Sequence, residues 1–234
     1  MKITNELLHY VAKMYGEIRY ADRGLFFKKS NKERIDPSTI NGVKSYFSVK
    51  NTQAAIVEKD GWTIVFCIGS NQISDWILNF LFLKKKIPYK SSGTSKKIKT
   101  HSGFLKTYLN MREWTHEQVK DKKNVLVFGQ SLGAAVATLA ALDIKYNFSE
   151  VNLDVILCGS PRVGNAAFKE SFNKRIDSTK RFVYGNDIVP ALPPKMLGFE
   201  HVCSSEVVGK ERKCLLTSKD HMWLKTYQPT LIKY

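Results

Sequence analysis

Residues 125–142, Val-Leu-Val-Phe-Gly-Gln-Ser-Leu-Gly-Ala-Ala-Val-Ala-Thr-Leu-Ala-Ala-Leu, constrain this chain more than any other stretch. Val125–Phe128 is a short apolar run of β-branched and aromatic residues, which predicts a buried strand. Ala134–Leu142 is small and helix-forming. Between them Gly129-Gln130-Ser131-Leu132-Gly133 fits the pattern G-x-S-x-G. A serine on so sharp a strand-to-helix turn sits on a strained backbone that lifts its hydroxyl clear of the sheet. The glycines remove side chains that would collide. The helix start beyond it offers main-chain N–H groups to a developing oxyanion. The pattern alone arises by chance in roughly one chain in ten of this length, so the flanking strand and helix carry the weight. The competing reading is a serine that caps a core helix.

The rest of the chain supports an α/β class. Residues 3–15 place Ile3, Leu7, Leu8, Val11, Met14 and Tyr15 on one helical face. Residues 22–51 are polar and read as loop or short helix. Gln53–Glu58 and Trp62–Ile68 read as strands joined at the Lys59-Asp60-Gly61 turn, the second nearly all apolar and so central. A helix is predicted from Phe104 to about Lys120, a strand over Asp154–Cys158, a helix over Asn165–Lys174 and a strand over Arg181–Tyr184. Alternating strands and helices indicate a mainly parallel sheet covered on both faces. Reactive groups in such sheets gather at the carboxyl ends of strands, and Ser70, Ser131, Ser160 and Asp187 all follow strand ends. No repeat, linker or composition shift divides the 234 residues, so one domain spanning 1–234 is expected.

Composition excludes more than it assigns. Hydrophobic content of 43% and charged content of 25% belong to a folded chain. No apolar run is long enough to span a bilayer. Met1–Glu6 lacks the apolar core of a signal peptide, which predicts an intracellular, cytoplasmic chain, peripheral to a membrane at most. The formal net charge of +16 predicts attraction to polyanions. There is no nucleic-acid-binding motif and no aromatic stacking within a basic stripe, so an anionic lipid surface is the better partner. Four cysteines show no metal-ligand spacing. Cys67 and Cys158 fall in apolar strands. Pairing of Cys203 with Cys214 across a hairpin stays open, although an intracellular setting favours free thiols.

Ser131 needs a base, and the base needs an acid to orient it. Where a nucleophile elbow is used, the acid follows the serine and the histidine follows the acid. Asp187, in Gly185-Asn186-Asp187-Ile188-Val189-Pro190, follows a strand directly; Asp177 is weaker. Only His201 and His221 lie late enough to be the base, and spacing does not choose between them.

Several ordered motifs resemble the class 3 lipases, the family of filamentous-fungal triacylglycerol lipases and related plant phospholipases. The similarity runs from about Gln53 to Trp223. Gly69-Ser70 with Ile73-Ser74-Asp75-Trp76-Ile77 resembles the family's oxyanion turn and lid. His101-Ser102-Gly103-Phe104 resembles the segment after the lid, and Gly129–Ala135 the elbow. Gly159-Ser160-Pro161-Arg162-Val163-Gly164-Asn165 and Asn186–Pro190 resemble the strand end after the elbow and the acid motif.

The resemblance implies an α/β-hydrolase fold with a short helical lid at about 71–90. It implies Ser131 as nucleophile, Asp187 as acid and His221, in an Asp-His pair near the C-terminus, as base. Ser70 and the N–H of Leu132 would form the oxyanion hole, with neither metal nor cofactor. Ile73, Trp76, Ile77, Phe80 and Leu81 form one apolar stripe that would meet lipid. Lys84, Lys85, Lys86, Lys90, Lys96, Lys97 and Lys99 would draw that edge to an anionic membrane or lipid droplet, each worth about 1 kcal/mol near such a surface. The implied activity is hydrolysis of lipid esters, by a triacylglycerol lipase or a phospholipase A1-like enzyme. A short-chain esterase and a non-catalytic membrane-binding protein remain as alternatives. Two positions depart from the pattern: Ile68 stands where the family usually has arginine, and Leu224 where an aromatic is expected.

Overall fold

The structure is a computed structural model and describes residues 3–22, 36–68, 83–88, 98–210 and 216–234. Nine strands are found among these residues: β1 (Val43–Val49), β2 (Thr52–Lys59), β3 (Trp62–Ile68), β4 (Lys84–Lys86), β5 (Lys99–His101), β6 (Asn124–Gln130), β7 (Asn152–Cys158), β8 (Ser178–Tyr184) and β9 (Glu206–Val208). The helices are α1 (Asn5–Asp22), α2 (Ser102–Val119), α3 (Leu132–Asn147), α4 (Ala166–Asn173) and the short α5 (Gln228–Leu231). Seven strands form one sheet in the order β1-β2-β3-β6-β7-β8-β9. The first three are antiparallel, and every later pairing is parallel. β4 and β5 form a separate antiparallel pair.

Strand alternation divides the core into two layers. Val125 and Val127 of β6 face one side with Val65, Val155 and Leu157, under α2 and α3. Leu126 and Phe128 face the other with Ile64, Phe66, Ile156 and Phe182, under α1 and the C-terminal segment. Tyr15 of α1 locks the second layer. Its ring lies 4.9 Å from both Phe128 and Trp223, and 6.1 Å from Phe66. The small residues of α3 let it lie close on the sheet, buried without a break from Leu132 to Ile144.

One buried charge ties α2 to α3. Asp143, fully buried, accepts from Tyr108 Oη at 2.7 Å, from Arg112 Nε at 2.6 Å and Nη2 at 3.2 Å, from Asn147 Nδ2 at 2.9 Å, and lies 2.9 Å from His116 Nε2. Burial alone would raise its pKa; the hydrogen bonds from His116, Arg112 and Tyr108 outweigh it and hold the carboxyl below the ordinary 3.8. A carboxylate whose folded pKa is depressed stabilises the fold above its unfolded value and loses that contribution as pH falls through the folded one. Asp143→Ala is therefore expected to cost about 3 kcal/mol in urea denaturation at neutral pH, with the gap to wild type closing below pH 3.8.

The expected strands and helices that fall on the described residues are present, and further elements join them. β1, within a stretch read as loop or short helix, is a strand, because β2 supplies its ladder while its side chains stay half-exposed. Lys84–Lys86 is a strand because it pairs with Lys99–His101, not because of any apolar pattern. In the segment between Cys203 and Cys214, β9 pairs parallel to β8, and the rest of the hairpin expected there lies outside the described residues. Cys67, Cys158 and Cys203 are free thiols, and burial pushes the Cys67 thiol up to about 12. Cys214 lies outside the described residues, as does the lid stripe Ile73, Trp76, Ile77, Phe80 and Leu81.

Candidate active site

Ser131 sits where β6 turns into α3, with φ 61° and ψ −129°. A non-glycine residue at positive φ costs on the order of 1–3 kcal/mol and persists only where surroundings impose it. Here the Ser131 N–H donates to Cys158 O at 2.9 Å, while α3 closes behind it through Ala134 N–H to Ser131 O at 3.0 Å. Gly129 is required by the same closeness, since a Cβ there would lie 2.3 Å from Gly133 O. The Ser131 hydroxyl is buried and makes no hydrogen bond to any of the described residues. Leu132 is the first residue of α3, where main-chain N–H groups lack an intrahelical acceptor. Ser70 lies outside the described residues.

Asp187 follows β8 on the turn opened by Gly185. Its Oδ1 accepts from Val189 N–H at 2.9 Å. Its Oδ2 takes two donors, His221 Nδ1 at 2.7 Å and Tyr227 Oη at 2.6 Å. All three side chains are buried. The acceptor is a carboxylate, so His221 Nδ1 carries the proton and Nε2 is left with its lone pair. His221 reaches this position on a short helical turn, Lys219–His221, which Asp220 pins by accepting from Asn186 N–H at 2.9 Å. Main-chain bonds between Thr217 and residues 186–188 add a further tie.

Gln130, beside the serine, holds the histidine from the other side. Its amide donates to His221 O at 3.0 Å and lies 3.4 Å from His221 Nε2. Gly159 closes the floor: at φ +54°, a Cβ there would lie 2.8 Å from Asp187 Oδ2, 2.9 Å from Tyr227 Oη and 3.0 Å from His221 Cε1. Ser131 is bonded to Cys158, the residue before Gly159, so the elbow and the His221–Asp187 pair share one strand end.

Tyr227 is the residue that sequence reasoning missed. A single wide turn over Trp223–Tyr227, closed by Gln228 N–H on Trp223 O, brings its hydroxyl back to Asp187. That hydroxyl also accepts from Tyr184 N–H at 3.0 Å. Burial, followed by the charge and hydrogen bond of Asp187, raises its pKa well above the usual tyrosine value, so it remains a donor. Leu224, where an aromatic was expected, is exposed, and Tyr227 is the aromatic beside His221, ring centroids 6.5 Å apart. Tyr227→Phe would leave Asp187 Oδ2 with one donor and Tyr184 N–H without its acceptor. We expect kcat on a soluble ester to fall about tenfold with KM unchanged, the size of one charge-assisted hydrogen bond.

The second late histidine is placed differently. His201 Nε2 donates to Pro190 O at 2.9 Å, and burial, with Arg181 nearby, lowers its pKa to about 3. It is a neutral structural donor with no bond to Asp187 or Ser131.

The family profile described as "Lipase (class 3)" matches residues 64–197. A lipase of Rhizomucor miehei is 34% identical over 164 residues, covering 65% of this chain and 44% of that protein. The secreted mono- and diacylglycerol lipase 1 of Fusarium solani is 30% identical over 169 residues, covering 70% of this chain and 46% of that protein. The chain thus aligns with less than half the length of either relative. Among solved structures, a triacylglycerol lipase described as having a serine protease triad at its catalytic centre superposes with a TM-score of 0.69 at 26% identity, covering 89% of this chain and 82% of its own. These comparisons correct one expectation. Several relatives are named as secreted lipases, which points to an extracellular rather than an intracellular location. With the sheet order, the elbow and a profile match over more than half of its residues, the chain belongs to the class 3 lipase family.

Proposed function

We propose that the chain is a serine carboxylester hydrolase acting on lipid esters. The observation that carries this reading is the buried His221–Asp187 pair, at 2.7 Å, on the strand ends that also present Ser131. Ser131 Oγ adds to the acyl carbonyl carbon while its proton passes to His221 Nε2, which turns from the Gln130 amide to receive it. Asp187 stabilises the imidazolium that forms. The carbonyl oxygen takes the electron pair and rests on N–H groups of Leu132 and Ser70, each such donor lowering the barrier by about 3 kcal/mol. Collapse breaks the ester C–O bond, and His221 returns the proton to the departing alcohol. Water then attacks the acyl-serine, passing its proton to His221 and so back to Ser131. No step calls for a metal or cofactor.

The names of the relatives support acylglycerols as the substrate class. The charge of +16 favours esters presented on an anionic membrane or droplet surface. Of the segment 71–90 expected as a helical lid, Lys84–Lys86 is instead a strand held against β5, and only the part before it is proposed as the lid over the acyl site. Parallel assays on triolein, phosphatidylglycerol micelles and a soluble butyrate ester, with wild type beside Ser131→Ala, test the reading. Serine-dependent turnover of emulsified or micellar ester above that of the soluble ester supports it, and turnover of the butyrate ester alone refutes the lipid assignment.

A further inference from the structure

We propose that β4 and the turn over Lys195–Leu197 form a fixed docking ledge for an anionic lipid surface, independent of residues 69–82. The proposal deepens the lipid-ester reading, on which it rests, by naming the face that meets the substrate phase. The two segments, remote in sequence, are clamped side by side. Lys84 Nζ donates to Leu197 O and lies 4.5 Å over the Phe199 ring. Ser102 N–H donates to Leu83 O at 2.8 Å. Phe199 is buried, so the turn is anchored without help from its outer side chains.

Those outer side chains are apolar and face water. Met196 is 91% exposed, Leu83 60% and Leu197 44%. Segments 83–88, 98–101 and 192–199 carry Lys84, Lys85, Lys86, Lys99 and Lys195 and contain no aspartate or glutamate. Lys85, Lys86, Lys99 and Lys195 are all exposed. An exposed aliphatic tip flanked by lysines suits a soft anionic interface better than a shaped protein partner. Methylenes gain by entering the acyl boundary and ammonium groups by lying among anionic headgroups. The ledge stands over the catalytic end of the sheet. Gly164, on the loop that begins at Gly159, bridges to Thr100 of β5 on one side and to Glu200 on the other.

The test uses Ser131→Ala protein, which leaves vesicle lipids intact, sedimented with vesicles of phosphatidylcholine alone or mixed with phosphatidylglycerol. The unaltered ledge is expected to bind the anionic vesicles more tightly, with affinity falling as salt rises. Lys85→Glu with Lys86→Glu should weaken that binding at least about tenfold. Met196→Asp should weaken binding to both vesicle types. In the active background, all variants should hydrolyse a soluble butyrate ester at the wild-type rate. Should a charge reversal lower the thermal midpoint, Lys85→Gln with Lys86→Gln and Met196→Ser replace it. Unchanged sedimentation of the variants, or equal binding of the parent to neutral and anionic vesicles, overturns the proposal. Ledge-dependent sedimentation by a chain that hydrolyses no lipid ester would refute the enzymatic reading and keep the ledge. Hydrolysis of emulsified ester that is indifferent to the ledge variants would do the reverse.

Discussion

Ser131→Ala is expected to reduce ester hydrolysis by a factor on the order of 10⁴–10⁶, the scale on which removal of a nucleophile acts when base and acid depend on it. Substrate binding and folding should be nearly untouched. The Ser131 hydroxyl makes no hydrogen bond to any of the described residues, so its loss strands no partner among them. Alanine must adopt the same positive φ of 61°, and the strain is carried over rather than relieved. The change in stability should thus stay within about 1 kcal/mol. Measured together, kcat on a soluble butyrate ester, covalent labelling by a fluorophosphonate and the thermal midpoint separate the two effects. Full residual hydrolysis with unchanged labelling would place the nucleophile elsewhere and end the assignment.

Asp187→Asn should be nearly as damaging, for a different reason. The carboxylate accepts from three donors at once: His221 Nδ1, Tyr227 Oη and Val189 N–H. An asparagine has one acceptor oxygen. If that oxygen faces His221 and Tyr227, its NH₂ meets the Val189 N–H. If it is flipped, the NH₂ meets the two side-chain donors and the imidazole turns over its tautomer, leaving Nε2 protonated and useless as a base. Loss of kcat on the order of 10⁴ is expected. A stability cost of about 1–3 kcal/mol should accompany it, from the buried donor left without an acceptor. Slow fluorophosphonate labelling, with Ser131 intact, would place the defect in the base. Labelling at the wild-type rate would show that Asp187 does not orient His221.

The parts that could be read from the chain are those where local pattern and final environment agree. β3, β6 and β7 are apolar runs ended by glycine because both their faces are covered. The elbow is legible because Gly129 must be small: a Cβ there would lie 2.3 Å from Gly133 O, where the helix starts back over the strand. β1 and β4 are not legible, since an edge strand needs only a partner for its ladder, and its side chains stay wet. Asp187 stands out by following a strand end directly. Residues 201 and 221 look alike as sequence; what separates them is Pro190 O on one and Asp187 Oδ2 on the other.

Sequence alone therefore determined the α/β layering, the strained serine and the acid after the strand, because hydrophobic period and glycine placement act over a few residues. Tertiary structure decided which histidine meets the acid, brought Tyr227 from six residues beyond it through one wide turn, and set Lys84 against Leu197. Those contacts join segments whose spacing carries no periodic signal. They exist only once the sheet has fixed where each loop begins and ends.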